Sequence, residues 1–290
     1  MVAATWWVLA GILAAVLAGL GDVPAKHAAP TGLGKLTGRH TLPGGRSYYL
    51  SAGSGWVGLP RPLVIALHGA YQNPRTMQRL TGLTQYAESH GFSLVYGVGI
   101  GGRWNAGPQC CAVSDARNDV AYVRAVIADA ERRTPVDRSR VYVVGFSNGG
   151  MLAARAACEL PEVTAAATVS GPLLVPCKRP IRLWHLHGMA DLTVPVGGGV
   201  GFEGRKFPSS WTEGSRLPAH SVWVAQWWSG DHAWPSWATN DMWTALSKWS
   251  SRAAWQSPTA TPSSTQQHPA TSGRPVVGAQ FFGRPGLQAR

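Results

Sequence analysis

The sequence predicts an α/β protein, with a mostly parallel sheet and helices on both of its faces. Short apolar runs bounded by Gly, Pro and polar residues alternate with segments of helical spacing over most of the chain. Parallel strands need such crossover connections, so the alternation is typical of this fold class. The chain has 290 residues, of which 45% are apolar and 14% charged, so it can bury one sizeable core.

The first half of the chain supplies three strands and two helices. Residues 47–51 and 62–67 are short aromatic or aliphatic runs bounded by Gly and Pro, which predicts strands. Residues 76–90 have helical spacing and stop at a glycine, and residues 92–96 follow as a buried strand. Residues 118–132 place apolar side chains on one face, which predicts a second helix.

The second half continues the alternation. A strand over 140–144 leads directly into a helix over 149–159. Apolar runs then predict three more strands, and a last segment of helical spacing predicts a closing helix, over 165–169, 181–186, 221–227 and 240–249 in that order. Together these elements predict one catalytic domain over residues 38–250.

The two ends of the chain differ from this domain. Residues 3–20 are uncharged and almost wholly apolar, and small residues follow them. A secretory signal has an apolar stretch of about 7–15 residues before a small-residue cleavage site. A signal peptide is therefore expected over 1–28, with an uncleaved N-terminal anchor as the alternative. Both predict export, to the medium or to the cell envelope, and only the anchor predicts membrane contact. Residues 251–290 are rich in Pro, Ser, Thr, Gln and Gly, which predicts a disordered, basic tail.

The four cysteines agree with an oxidising compartment. Adjacent cysteines rarely bond to each other, so Cys158 with Cys177 is the expected disulfide. The state of Cys110 and Cys111 stays open. No C-x-x-C spacing is present, and neither a metal nor another cofactor is expected.

The net charge of +12 raises the question of nucleic-acid binding, because phosphate contacts need clustered cations. The Lys and Arg residues are scattered, however, and no run of them reaches four residues. Attraction to anionic envelope polymers or to acidic substrates fits the charge equally well. No nucleic-acid partner is expected.

Residues 145–149 carry a G-x-S-x-G motif, centred on Ser147, between a predicted strand and a predicted helix. In this context the motif indicates a nucleophile elbow, in which the chain turns sharply at the serine and the glycines relieve crowding. The helix that follows directs N–H groups and a positive dipole at the same point. Ser147 is the predicted nucleophile, and an ordinary loop serine is the alternative.

A serine hydroxyl needs a base to take its proton, and after an elbow the acid and the histidine follow in that order. Four of the nine histidines precede the motif. His232 lies in a turn after a predicted strand, where it would reach the carboxyl end of the sheet. It is the predicted base. His187, at the end of a buried strand, is the alternative, while His185 and His220 fit a core and a loop position.

Asp191 is the predicted acid, because it lies just past the end of a predicted strand. Its carboxylate would accept the second ring N–H of His232 and so fix the tautomer. Asp231 is too close to His232 along the chain to reach the ring properly, and no strand end holds Glu203 or Glu213. A loop-capping role is the alternative for Asp191.

The developing oxyanion needs two N–H donors. Asn148, just after the nucleophile, is the first. The second is expected from Ala70, or from Tyr71 as the less favoured alternative, in the loop after the strand over 62–67. Gly69 would let this backbone approach closely, and His68 is expected to hold the loop by a hydrogen bond.

Six segments together resemble the polyhydroxybutyrate depolymerase and feruloyl esterase-like branch of the α/β-hydrolases. Between residues 67 and 235 they are LHGAYQN, WNAG with the following CC, NDVAYV, RVYVVGFSNGGMLA, HGMADLTVPVGGG and DHAWP. The resemblance implies the α/β-hydrolase fold, carboxylic-ester hydrolysis through an acyl-enzyme, and Ser147, Asp191 and His232 as the triad. It also implies an ester substrate, small or polymeric: a hydroxyalkanoate, or a feruloyl or acetyl ester of plant polysaccharide.

The chain departs from that family between residues 199 and 221, where related proteins carry a longer insertion. The cover of the substrate pocket is therefore expected to differ. Trp234 and Trp237 follow the predicted base closely, so they are candidates for stacking on an aromatic or sugar group, with core packing as the alternative.

The leading prediction is an exported serine esterase. One alternative is an exported serine peptidase on the same fold, and the other is an inactive hydrolase-like protein that binds polymer. A complete triad favours an enzyme, because a binding module has no need of all three side chains.

Overall fold

The computed structural model describes residues 36–51, 58–108, 110–111 and 118–251, together with the backbone of a strand at 276–279. Nine of the described strands form one sheet, and β8 and β9 form a separate hairpin. In chain order they are β1 (Arg39–Thr41), β2 (Ser47–Ser51), β3 (Arg61–Leu67), β4 (Ser93–Gly97), β5 (Val136–Phe146), β6 (Ala165–Val169), β7 (Arg182–Gly188), β8 (Gly199–Val200), β9 (Lys206–Phe207), β10 (Val222–Trp228) and β11 (Val276–Ala279).

Helices connect the strands of the central sheet. Within the described residues they are α1 (Pro74–Thr81), α2 (Leu83–His90), α3 (Asp119–Arg133), α4 (Asn148–Glu159) and α5 (Ala238–Leu246). Short 3₁₀ turns lie at Phe202–Gly204 and Gly214–Arg216.

The sheet has the strand order β1-β2-β4-β3-β5-β6-β7-β10-β11. All neighbours from β4 to β10 are parallel. The strands β1, β2 and β11 add antiparallel pairs at the two edges. The prediction of a mostly parallel central sheet is confirmed.

Apolar side chains cover both faces of this sheet. Successive residues of β3 belong to opposite cores, because side chains alternate along a strand. Ile65 packs in the core that contains Val123 of α3, whereas Val64 packs in the core that contains Met77 of α1 and Met242 of α5. The predicted arrangement of helices on both faces is therefore confirmed.

The helix predicted over residues 76–90 is two separate helices in the structure, α1 and α2. The helical spacing over 76–90 is interrupted at Gly82, which has φ of 63° and ends α1 while it begins α2. A left-handed residue cannot continue a right-handed helix, and glycine adopts this backbone without a Cβ clash. The helical spacing of apolar residues continues past Gly82 because α2 begins directly after it.

Several short strands were not predicted. The strands β1, β8 and β9 are two or three residues long, which is too short for a periodic pattern. The strand β11 lies within the predicted tail and pairs antiparallel with β10 at the sheet edge. The rest of 252–290 and the expected signal or anchor over 1–28 lie outside the described residues. In the part that the structure describes, no helix has the length and apolar character needed to cross a membrane.

The four cysteines form two disulfides. Cys158 at the end of α4 is bonded to Cys177, as predicted, with Cα atoms 5.1 Å apart. Cys110 is bonded to its neighbour Cys111, which the sequence left open and general disulfide geometry disfavours. Both pairs agree with a chain that passes through an oxidising compartment.

Candidate active site

The turn between β5 and α4 holds Ser147 in a rare backbone conformation. Its φ is 52° and its ψ is −122°, a combination that costs a residue other than glycine about 1–3 kcal/mol. Two hydrogen bonds hold it there: the Ser147 N–H donates to the Val169 carbonyl at 2.8 Å, and the Ser147 carbonyl accepts from the Met151 N–H at 3.0 Å. The hydroxyl is presented at the carboxyl edge of the sheet, as the motif predicts.

The two glycines of the motif are required by backbone contacts. A Cβ on Gly145 would lie 2.2 Å from the Gly149 carbonyl oxygen, and a Cβ on Gly149 would lie 2.2 Å from the Leu67 carbonyl oxygen. Neither partner is a flexible side chain, so neither could move aside. The elbow brings β3, β5 and α4 together at one point.

Asp191 lies in the turn after β7 and is almost fully buried. Its Oδ1 accepts from the Thr193 and Val194 N–H groups at 2.9 and 2.8 Å, and its Oδ2 lies 2.6 Å from His232 Nδ1. Burial raises the pKa of this carboxyl. Hydrogen bonds from His187 and His232, the charge of His232 and the Val194 N–H outweigh that effect and hold the pKa well below its ordinary value. Asp191 is therefore an ionised acceptor.

The turn after β10 presents His232 to this carboxylate. Its backbone is tied to the turn after β7, because the Met189 and Ala190 N–H groups donate to the Trp228 and Gly230 carbonyls at 2.7 and 3.0 Å. Since a carboxylate only accepts, His232 Nδ1 carries the proton of the shared hydrogen bond. The neutral ring then has Nε2 free to accept a proton.

Ser147 and His232 line the same cavity, which has a volume of about 160 Å³. The ring of His232 packs on Phe146, with centroids 5.0 Å apart. The described residues that line the cavity are Gly69, Ala70, Gln72, Cys110, Cys111, Phe146, Ser147, Met151, Thr193, Val194, Phe202, Phe207 and His232. The structure therefore brings the predicted nucleophile, base and acid to one place, because Asp191 is hydrogen-bonded to His232.

The loop after β3 carries the predicted oxyanion donors. Ala70 lines the cavity, and the Gly69 N–H donates to the Gln72 side chain at 3.1 Å, which fixes the loop. Tyr71 does not line the cavity: its φ is 58° and its side chain is 59% exposed. Ala70, but not Tyr71, is therefore among the residues that line the cavity.

Asn148, the other predicted donor, is the first residue of α4 and is fully buried. Its side chain accepts from the Trp104 N–H at 2.8 Å and donates to the Trp104 carbonyl at 3.0 Å. These two bonds lock the start of the helix, so its backbone N–H is held at the elbow beside Ser147.

His68 supports the same loop, as expected. Its Nδ1 lies 2.8 Å from the Gly69 carbonyl, and its Nε2 accepts from the Gly99 N–H at 3.1 Å. Burial lowers the pKa of His68 to about 4, so the ring is neutral at pH 7. This histidine has a structural role.

Three side chains form a clasp beside the cavity, defined here as Tyr71, Arg103 and Glu203. The Tyr71 hydroxyl donates to Glu203 Oε1, and the Arg103 guanidinium lies 3.0 Å from the same oxygen. The guanidinium also stacks over the Tyr71 ring, 3.9 Å from its centroid. The clasp connects the Phe202–Gly204 turn to the loop after β3. Phe202, which precedes Glu203 of the clasp, forms part of the cavity wall.

The bonded pair Cys110–Cys111 forms another part of the wall. Arg103 of the clasp donates to the Cys111 carbonyl at 2.7 Å, and Asn148 Nδ2 lies 3.7 Å from Cys110 Sγ. The sequence contained the CC pair but gave no indication of its place. The clasp was equally hidden, because Glu203 lies 132 residues from Tyr71 and 100 residues from Arg103 along the chain.

The two tryptophans predicted as substrate contacts pack against the core in the described structure. Trp234 is buried in the core and donates from its indole to Thr239 Oγ1 at 3.0 Å. Trp237 packs edge-on against Trp228, with centroids 6.4 Å apart. Neither residue lines the cavity, so the core-packing alternative holds for both.

The rival acids have other partners. Glu203 belongs to the clasp, and Glu213 is fully buried behind β7, where it accepts from the Leu173 N–H at 2.5 Å. Among the described residues, no group of three or more His, Cys, Asp or Glu side chains is arranged to hold a metal ion.

Comparison with known proteins places these residues in a family context. Residues 45–177 match the family described as Esterase PHB depolymerase. A putative esterase, NocK, of Nocardia uniformis subsp. tsuyamanensis is 36% identical in an alignment of 162 residues that covers 53% of this chain and 47% of NocK. Feruloyl esterase B of Piromyces equi is 36% identical in an alignment of 110 residues that covers 35% of this chain and 20% of that protein. The chain thus spans less than half the length of each of these two relatives.

Solved structures agree on the fold. The crystal structure of sOPH aligns with a TM-score of 0.59 over 87% of this chain and 98% of that chain, at 17% sequence identity. At such low identity the likeness concerns the α/β-hydrolase architecture alone.

Proposed function

We propose that this chain, of which residues 45–177 match the esterase PHB depolymerase family, is an exported serine esterase that hydrolyses carboxylic esters through an acyl-enzyme. One observation carries the proposal: Asp191 Oδ2 lies 2.6 Å from His232 Nδ1, at a cavity that Ser147 also lines. A buried, ionised carboxylate that orients a histidine beside a serine is the arrangement needed to activate a hydroxyl.

In the first step, Ser147 Oγ attacks the ester carbonyl carbon while His232 Nε2 takes the hydroxyl proton. The carbonyl oxygen becomes an oxyanion and accepts from the Asn148 and Ala70 N–H groups. When the tetrahedral intermediate collapses, the C–O bond to the alcohol breaks and His232 returns the proton to the leaving oxygen. Asp191 stabilises the imidazolium through its Nδ1–H.

In the second step, water replaces the alcohol. His232 takes a proton from the water, whose oxygen attacks the acyl carbon, and the same two N–H groups stabilise the second oxyanion. Collapse breaks the bond to Ser147 Oγ, which regains its proton, and releases the carboxylic acid. Each proton taken by His232 is returned, so the cycle needs no cofactor.

The substrate is proposed at the level of its class. The family name points to hydroxybutyrate polymer or oligomer, and the feruloyl esterase relative points to a plant cell-wall ester. The cavity of about 160 Å³ is small beside the roughly 300–1,000 Å³ of sites for drug-sized ligands. It suits one short acyl group, while the rest of a polymer would lie outside.

Export is supported by two features. The disulfide between Cys158 and Cys177 needs an oxidising environment to form and persist. The apolar stretch over residues 3–20 has the composition of a secretory segment.

The test of the nucleophile is active-site labelling. A fluorophosphonate probe should label the wild-type protein at Ser147, and Ser147→Ala should lose both the label and the turnover of p-nitrophenyl acetate. The exposed serine Ser89 serves as the control, since Ser89→Ala should keep both. Turnover that persists in Ser147→Ala would refute the assignment.

The substrate class is tested on the same preparation. Hydroxybutyrate oligomer, methyl ferulate, acetylated xylan and tributyrin are compared by kcat/KM, with a peptide amide as the outgroup. An ester preference that disappears in Ser147→Ala supports the proposal. Faster turnover of the amide would assign the chain to the peptidases instead.

A further inference from the structure

A buried polar network contacts the Asp191 carboxylate in addition to His232. Its members come from three parts of the chain: Thr168 on β6, His185 and His187 on β7, and Ser210 and Glu213 between β9 and β10. All five side chains are buried, each with an exposure of zero. Polar groups are rarely placed at such depth unless every donor and acceptor is satisfied, so the network has a definite order of protons.

The proton on His187 follows from its acceptors. His187 Nε2 lies 2.8 Å from the Val194 carbonyl and 3.1 Å from Asp191 Oδ2. A carbonyl and an ionised carboxylate only accept, so Nε2 must carry hydrogen, which it donates to the Val194 carbonyl with Asp191 Oδ2 as a second acceptor nearby. In the neutral ring, Nδ1 is then an acceptor. It has two donors within reach, Ser210 Oγ at 3.0 Å and His185 Nε2 at 3.1 Å.

The next histidine completes the order. If His185 Nε2 donates to His187, then His185 Nδ1 accepts. The neighbours of His185 Nδ1 are Thr168 Oγ1 at 2.6 Å and Glu213 Oε2 at 3.3 Å. Burial lowers the pKa of His185, aided by His187 and Arg216, and burial raises the pKa of Glu213. With Thr168 Oγ1 donating to His185 Nδ1 and His185 Nε2 donating to His187 Nδ1, the donors run in one direction toward Asp191.

We propose that His187 is a positioning residue for the triad: its Nε2–H holds the Asp191 carboxylate in the orientation that His232 requires, and His185, Ser210 and Glu213 fix its tautomer. The inference rests on the proposed esterase function. It makes Asp191 Oδ2 the meeting point of two imidazoles, one that takes part in proton transfer and one that does not. Neither Thr193 nor Val194 can replace His187, because their N–H groups bind the other oxygen, Oδ1.

The test compares two variants of nearly equal size. His187→Gln keeps an N–H donor at about the reach of Nε2, whereas His187→Met has a similar length and no donor. Steady-state kcat and KM are measured on p-nitrophenyl acetate, together with thermal unfolding. The far-downfield proton resonance of the His232 Nδ1–H, which lies in a 2.6 Å hydrogen bond, reports the dyad itself.

His187→Met should lower kcat roughly 10- to 100-fold, the effect seen when outer partners of metal-bound histidines are removed. KM should stay within about threefold, since binding contacts are unchanged. The His232 resonance should broaden or disappear, and His187→Gln should restore most of kcat and the resonance. If both variants lost kcat equally and in proportion to the fall in their unfolding temperatures, His187 would have only a packing role and the proposal would be wrong. Full activity in His187→Met would also overturn it.

Ser210→Ala extends the test if His187→Met does not fold. It removes one hydroxyl donor to His187 Nδ1 and should give a smaller loss of kcat with a shifted His232 resonance. An unchanged resonance and unchanged kcat would overturn the proposal. An inactive wild-type protein would instead refute the esterase function, while the resonance in the three variants would still report whether His187 positions Asp191.

Discussion

Asp191 shows how much of this site depends on the partners of one side chain. Its Oδ1 is fixed by the N–H groups of its own turn, and its Oδ2 is shared between His232 and His187. These contacts outweigh burial and keep the carboxyl ionised. The acid is therefore charged at every pH at which an ester would be assayed.

The first residue-scale prediction concerns that charge. Asp191→Asn should lower kcat about 10³- to 10⁴-fold, because an amide can donate to His232 and so favour the wrong tautomer. Stopped-flow and steady-state kinetics on p-nitrophenyl acetate measure the loss. Asp231→Asn is the matched control, since Asp231 is the adjacent carboxylate and should be dispensable. If Asp191→Asn kept its kcat and Glu213→Gln lost it, the acid would be Glu213.

At the scale of the element, the hairpin β8–β9 acts as the cover of the cavity. It is only two residues long on each side, yet the turn between its strands contributes Phe202, and β9 contributes Phe207. The clasp anchors it through Glu203. The short region between residues 199 and 221, noticed in the sequence, thus contributes two phenylalanine side chains to the wall of the cavity.

We expect Phe202→Ala to lengthen the acyl chain that the site accepts. The smaller side chain opens the wall of the cavity, so kcat/KM for p-nitrophenyl octanoate relative to the acetate should rise roughly tenfold, the worth of a methylene or two in an apolar pocket. The exposed residue Val200 on β8 is the control, as Val200→Ala leaves the wall intact. A chain-length profile identical to that of the wild type would show that Phe202 does not limit the acyl group.

For the whole molecule, buried or half-buried carboxylates set the limit of acid stability. Asp129 on α3 accepts from Tyr48 of β2 at 2.6 Å and pairs with Arg132 and Arg133. Burial raises its pKa, but hydrogen bonds from Arg133, Tyr48 and Arg132 lower it to about 2. The bond to Tyr48 connects the antiparallel edge of the sheet to a covering helix.

A second carboxylate has the same property. Burial raises the pKa of Asp137, while Ser139 and Arg140 lower it to about 2. An unfolded Asp has a pKa near 3.9, so both groups add stability above about pH 4. That contribution is lost as the pH falls from about 4 through 2.

The unfolding temperature should therefore begin to fall below about pH 6.5, where the buried neutral His68 and His185 resist protonation, and should fall further below about pH 4 as Asp129 and Asp137 take up protons. Calorimetry or circular dichroism at a series of pH values measures it. Asp129→Asn should lower the unfolding temperature at pH 7 and make its fall below pH 4 less steep. Glu162→Gln is the control, because Glu162 is an exposed carboxylate that pairs with Arg124. A drop below pH 4 that is unchanged in Asp129→Asn would contradict this assignment.

The sequence predicted what local sterics and chain order determine. Gly145 and Gly149 were identifiable because a turn from strand to helix leaves no room for a Cβ, and the structure has backbone atoms at both places. Asp191 and His232 were identifiable because parallel strands end at one edge of the sheet. Their hydrogen bond follows from that topology.

What the sequence did not predict depends on packing between distant segments. Nothing near Tyr71 indicates a partner at Glu203, and nothing near His187 indicates Ser210. These contacts arise in short irregular stretches that have no periodicity. The same is true of Trp234, whose position next to the base in sequence suggested stacking although its ring points into the core.

The stretch from Phe202 to Glu213 has a consequence for anyone who would re-engineer this protein. One end of it roofs the acyl cavity, and the other inserts Ser210 and Glu213 beneath the triad. The same short stretch of chain therefore affects both the choice of substrate and the alignment of the triad. A loop transplanted from another hydrolase would change both at once, and a graft intended to alter substrate choice alone should stop short of Ser210.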